Sequence, residues 1–171
     1  MMKNVYLYSG ILILILAISV CPVQAFTAKS LDIVVQDNGD ALITFDYDLS
    51  WYENVAVFAQ ITNPGNELKR ALEANFGKKV DVITTTGKQS QVLVQGFASR
   101  SVKDNLVTMV TPALSFDSAE KILKQYWFAP LINVDFSPAV TRVIFPDGYI
   151  ETFNNQIAIP KIDHNLRISG V

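Results

Sequence analysis

The chain has one cysteine and one histidine in 171 residues, and each scarcity removes chemistry. A lone Cys21 leaves no partner for a disulfide, so stability has to come from a buried apolar core. With a single histidine, His164, and a single thiol, a zinc or copper site of the usual ligand set is excluded, and no cofactor is expected. Positive charge is also sparse. Fourteen Lys and Arg face sixteen Asp and Glu, for a net charge of −2. The basic residues are scattered, paired only at Lys69-Arg70 and Lys78-Lys79, which argues against a nucleic-acid partner and against strong attraction to anionic lipid. No glycine-rich phosphate loop and no dinucleotide fingerprint occur.

The long apolar run is at the amino terminus. Lys3 precedes a nearly uninterrupted apolar stretch, Gly10 to Val20; Pro22 breaks it, and Val23-Gln24-Ala25 carries compact residues at the two positions a signal peptidase reads. Residues 1–25 are therefore expected to be a signal peptide and Phe26 the mature start, in a secreted or extracytoplasmic cell-surface protein. The alternative is an uncleaved signal anchor over Asn4 to Ala28, the one route by which the chain would be membrane-tethered. Val20 stands where a lipobox ahead of Cys21 would need a small residue. Cleavage leaves 146 of the 171 residues with no cysteine and, without Lys3, 13 basic against 16 acidic side chains. That length suffices for one self-supporting core.

Residues 26–160 are read as one domain, with no internal repeat or linker. Leu31 to Gln36 and Ala41 to Trp51 alternate as strands, with Leu31, Ile33, Val35, Ala41, Ile43, Phe45, Tyr47, Leu49 and Trp51 on the apolar faces and Thr44, Asp46, Asp48 and Ser50 on the wet side. A two-residue loop at Asn38-Gly39 would set Asp37 against Asp40 and Ile33 against Thr44. A three-residue loop, Asp37 to Gly39, instead pairs Val35 with Ala41, Ile33 with Ile43 and Leu31 with Phe45, so that register is predicted, with Gly39 left-handed. Asp37-Asn38-Gly39-Asp40 lacks the ligand spacing of a calcium loop and is turn chemistry.

Ser50 to Glu53 suits a capping box, and a helix from there toward Ile61 is expected, although that segment also alternates passably. Asn63-Pro64 is the cap and first position of a further helix, with Leu68, Ala71, Leu72 and Phe76 on its apolar stripe and Gly77 at its end. Val80 to Thr84, Gln91 to Ala98 and Leu106 to Thr111 read as strands. The polar stretch Ser99 to Asp104 reads as a loop. Phe116, Ala119, Ile122, Leu123, Tyr126 and Trp127 form the stripe of a third helix, stopped by Pro130. Val140 to Phe153 is a hairpin around Pro146-Asp147-Gly148, with Phe145 opposite Tyr149 and Ile144 opposite Ile150. Residues 161–171 read as a tail. The predicted fold is α+β, a largely antiparallel sheet of about six or seven strands with two or three helices packed mainly on one face.

No catalytic constellation stands out. His164 lies beside Asp163, and sequence neighbours in an extended chain point apart, so that pair cannot form the acid–base half of a triad. Asp46 and Asp48 read as a solvated strand face. The chain is thus expected to be no enzyme but a non-catalytic secreted or cell-surface domain, acting through protein–protein or envelope contacts, with a protein partner or a second copy. The hairpin is polar on neither face, which calls for cover on both; its face of Val143, Phe145, Tyr149 and Phe153 is the candidate contact surface. Two alternatives remain. One is a carrier of a small apolar ligand lined by Trp51, Phe58 and Trp127. The other is a hydrolase using two of Asp135, Asp147 and Glu151 in a shared cleft.

Overall fold

The computed structural model describes residues 24–49, 64–104, 106–117 and 133–166. Alternation along the first two strands decides the centre of the fold. β1 (Gln24–Val35) and β2 (Ala41–Leu49) form an antiparallel hairpin whose pairs are Val35 with Ala41, Ile33 with Ile43 and Leu31 with Phe45, the register that the apolar pattern requires. Gly39 holds φ +88°, and Asp40 takes a side-chain bond to Asn38 and accepts the Gly96 amide at 2.7 Å, so the acidic turn is consumed by local hydrogen bonds. The sequence pattern does not reveal that the pairing slips between Ala28 and Ser30. Lys29 is the extra residue of a bulge, which lets Ala28 and Leu31 point into the same core although they are three apart.

After the hairpin come one helix, α1 (Pro64–Phe76), then β3 (Val80–Thr85) and β4 (Gln89–Val94). Pro64 opens α1, where a missing amide costs nothing, and the Gly77 amide closes it on Glu73 at 2.9 Å. Leu68, Leu72 and Phe76 pack onto the core from this helix. β5 (Ser99–Lys103), β6 (Leu106–Val110) and β7 (Leu114–Ser115) follow. The last five strands are β8 (Asn133–Asp135), β9 (Val140–Ile144), β10 (Ile150–Asn154), β11 (Ala158–Ile159) and β12 (Asp163–Leu166).

Seven of these strands make the main sheet. Its order is β10-β9-β1-β2-β4-β3, with β8 also lying against β1. β1 runs parallel to β8 and β9 and antiparallel to β2, so the sheet is mixed. A three-stranded antiparallel sheet, β12-β6-β5, and the small pair β11-β7 complete the strand pairings. The inner face of the main sheet supplies Leu31, Ile33, Val35, Ala41, Ile43, Val80, Val92, Val94, Val143 and Phe145; Met109, Ile162, Phe97 and Ala98 meet it.

These observations correct the predicted fold class. The molecule is mostly β, with several sheets, and not an α+β fold carrying two or three helices; among the described residues α1 is the one α-helix. Two segments account for much of the difference. Ser99 to Asp104, expected to be a loop, contains β5, whose five residues are all exposed. A strand with neither face buried has no apolar alternation to betray it, and its order comes from backbone pairing with β6. Likewise the segment read as a tail contains β12, which pairs with β6 from Asp163–Val110 to Leu166–Val107. The expected helices after Ser50 and over 116–127, and the signal segment up to Val23, lie outside the described residues, apart from Phe116 and Asp117.

Candidate functional site

The β9–β10 turn is built as its residues dictate. Phe145 and Tyr149 close it, the Phe145 amide donating to the Tyr149 carbonyl at 2.9 Å, and Gly148 takes φ +84°. Asp147 accepts the Tyr149 amide at 3.2 Å, an Asx turn that aims its carboxylate inward. There it meets His164. The imidazole Nε2 lies 2.9 Å from Asp147 Oδ2, and the two side chains are only 14% and 6% exposed.

The imidazole is held on both sides. Tyr149 stacks on it at 4.3 Å with 12° between the planes, and Phe145 tilts against it at 4.7 Å. The Tyr149 hydroxyl reaches toward Glu151 Oε2 at 3.5 Å. His164 is thus oriented by an aspartate after all, but by Asp147 across the fold and not by Asp163. Nothing in the local sequence could show this, because the two residues belong to different sheets. Among the described residues no hydroxyl or thiol hydrogen-bonds to the ring, so these residues supply no nucleophile-to-base contact of a triad. The cluster joins β12 to the β9–β10 turn.

Of the hydrolase carboxylates, Asp147 and Glu151 both gather at Tyr149, whereas Asp135 accepts the Ser137 amide at 2.8 Å in a separate exposed turn. Among the described residues no three His, Cys, Asp or Glu side chains come together to hold a metal ion. The proposed ligand pocket of Trp51, Phe58 and Trp127 lies outside the described residues.

The hairpin face chosen as a contact surface is turned inward. Val143 and Phe145 are 1% and 2% exposed, Phe153 is half-buried, and only Tyr149 is open to solvent, at 43%. The hairpin register was read correctly; what covers its inner face is the sheet holding β6 and β12, an assignment that needs the long-range topology.

The outer face of the main sheet is different. Register places Asp32 beside Thr44 and Arg142, and Thr44 beside Gln91, as one cross-strand row. Arg142 grips Asp32 with two bonds of 2.7 and 2.6 Å, and the Asp32 carboxylate raises the guanidinium pKa further, by hydrogen bond first and charge second. Gln91 donates to Thr44 at 3.2 Å. One row over, Ser30 and Gln89 both donate to Asp46, at 3.1 and 2.8 Å. Asp46 therefore serves a polar ladder and not a metal.

No protein-family model, curated protein or solved structure matches this chain.

Beside the polar rows runs an apolar one. Ile150 pairs with Ile144, Ile144 with Val34, Val34 with Leu42, and Leu42 with Leu93. Five aliphatic side chains thus line up across five adjacent strands, about 19 Å at the usual strand spacing. Ile150 is 51% and Val34 37% exposed; the other three are half-buried. Each of these residues sits on the side of its strand that the alternation marks as wet. A trace of the row was present in the sequence, as apolar Val34 and Leu42 in polar-phase positions, but only the strand order brings them into line.

Proposed function

We propose that the protein is a non-catalytic contact module of the extracytoplasmic or cell-surface space, binding a protein partner through the outer face of its main sheet. The observation that carries this reading is the aliphatic row Ile150–Ile144–Val34–Leu42–Leu93. It runs beside the polar rows of that face and ends at the outer strand β10. Scattered exposed aliphatics are ordinary, whereas a contiguous line rimmed by satisfied polar groups is the anatomy of an interface, apolar within and polar at the rim. The rim here is pre-ordered by the Asp32–Arg142 pair and the Asp46 ladder, so little side-chain freedom remains to be lost on binding.

The extracytoplasmic placement rests on the amino-terminal segment that resembles a signal peptide in its charge, apolar core and cleavage-site residues. The non-catalytic reading rests on the sequence, in which no recognisable catalytic constellation stands out.

Val34→Lys and Ile150→Lys test the surface. Both positions are already partly wet, so each variant is expected to keep the wild-type circular dichroism and to weaken association with the captured partner by about tenfold or more, the loss of one well-buried aliphatic side chain. Unchanged association by both variants would overturn the reading.

A further inference from the structure

The outer strand β10 specifies how a contact can be made, and the geometry points to a second copy of this chain pairing with it edge to edge. This rests on the contact-module reading and adds to it a contact at the edge of the same sheet. The Phe145–Tyr149 bond and the bond from the Asn155 amide to the Ala139 carbonyl, 3.2 Å, bracket the β9–β10 ladder. Between them, pairs alternate between hydrogen-bonded and open, so Glu151 and Phe153 direct their backbone groups at β9. Ile150, Thr152 and Asn154 direct theirs away from the sheet, and all three residues are exposed.

The two outer strands of the main sheet are treated differently. β3 carries a bulge between Val82 and Thr84, an acidic residue at Asp81 and α1 packed against it, all devices that blunt an edge. Among the described residues β10 has neither bulge nor helix against it. It is unbulged, contains no Lys, Arg or Pro, and its one charge, Glu151, lies half-buried on the inner face beside Tyr149. A strand left in that state pairs with another strand unless something prevents it.

Self-pairing about a two-fold axis at Thr152 fits this strand. Thr152 then faces its symmetry mate, Ile150 faces Asn154, and Glu151 faces Phe153, so every outward backbone group finds a partner and no two glutamates oppose each other. Shifting the axis to Glu151 would set the two carboxylates directly opposite, which is unfavourable. The joined sheets would continue the polar row Thr44–Asp32–Arg142–Thr152 into its copy, in the isologous arrangement that closes a dimer.

The test is the oligomeric state of the full protein, as its own cell processes it, by sedimentation equilibrium. Wild type and Thr152→Ala are expected to be dimers. Thr152→Pro removes an amide that does not bond β9, a substitution an outer strand accommodates; it is expected to raise the dimer dissociation constant at least about tenfold while the circular dichroism is unchanged. Should that variant unfold, the register is read independently. In a Cys21→Ser background, Thr152→Cys is expected to form an intermolecular disulfide under mild oxidation, because facing residues of such a pair lie within bridging distance, and Ile150→Cys alone is not. A monomeric wild type, or a dimer indifferent to Thr152→Pro that fails to cross-link at 152, overturns the second-copy inference. In that event a monomer whose binding to another host protein is still weakened by Val34→Lys leaves the contact-module reading standing; indifference to Val34→Lys removes both.

Discussion

At the scale of single residues, two glycines with the same sign of φ carry different burdens. Gly39 and Gly148 hold φ +88° and +84° in the two three-residue turns. A Cβ on Gly148 would meet open space, whereas on Gly39 it would stand 2.5 Å from the Ala98 carbonyl oxygen, a backbone atom that also receives no slack from the 2.8 Å bond between the Ala98 amide and the Gly39 carbonyl. Gly148→Ala is therefore expected to cost about 1–2 kcal/mol, the left-handed penalty alone. Gly39→Ala should cost at least about 3 kcal/mol, since strain and clash add. Chemical denaturation of both variants gives the difference, and equal costs would mean that the Gly39–Ala98 approach is looser than described. Thr141 offers the opposite case. Its hydroxyl is buried on the inner face, between Leu31 and Phe153, with no hydrogen-bond partner. Thr141→Val keeps the shape and removes the unsatisfied group, so it is expected to raise stability by about 1 kcal/mol; a loss of stability would show that the hydroxyl has a partner in solution.

At the scale of elements, the Asp147–His164 pair fastens β12 and the small sheet to the β9–β10 turn of the main sheet. Both side chains are largely removed from water, and deleting either takes a 2.9 Å hydrogen bond from the other. Asp147→Ala and His164→Ala are each expected to cost about 2 kcal/mol, and the double variant much less than their sum, with a coupling energy of about 1–2 kcal/mol. Additive costs would mean that the two sheets are joined by apolar packing alone. The pair also marks where reading from sequence stopped. Turns were legible because Asp37-Asn38-Gly39 and Pro146-Asp147-Gly148 admit few geometries, and the β1–β2 register was legible because only one loop length keeps Leu31, Ile33 and Val35 on the apolar side. The helix from Pro64 was legible from its cap and stripe. β5 and β12 were not, since polar strands take their order from a partner elsewhere in the chain. The parallel placement of β9 against β1 joins residues about 110 apart in sequence, with no local signal to announce it. For the same reason the burial of Val143 and Phe145 has no local signal: the hairpin's two faces are legible in its alternation, but which of them meets the sheet of β6 and β12 depends on long-range topology.

At the scale of the whole molecule, β1 is the organising strand, touching β2, β8 and β9 at once, and the proposed signal cleavage falls inside it. β1 begins at Gln24, two residues ahead of Phe26. A chain starting at Phe26 keeps every β1–β2 pair, from Phe26–Leu49 to Val35–Ala41, and every β1–β9 pair; the single described pair it gives up is Gln24–Asn133 to β8. Cleavage is therefore expected to be structurally silent, with the Phe26 form melting within about 3 °C of a chain that retains Gln24 and Ala25. A chain starting at Leu31 should not fold cooperatively, since it lacks the Lys29 bulge, buried Ala28 and the described pairing to β8. The first part of this expectation is checked by intact mass of the protein from its native host together with thermal melts of both starts. A mass beginning at Phe26 in the soluble extracytoplasmic fraction fits a free contact module that meets its second copy by diffusion. A full-length mass in the membrane fraction would instead confine both copies to one surface, where the same β10 edges would face each other at far higher effective concentration.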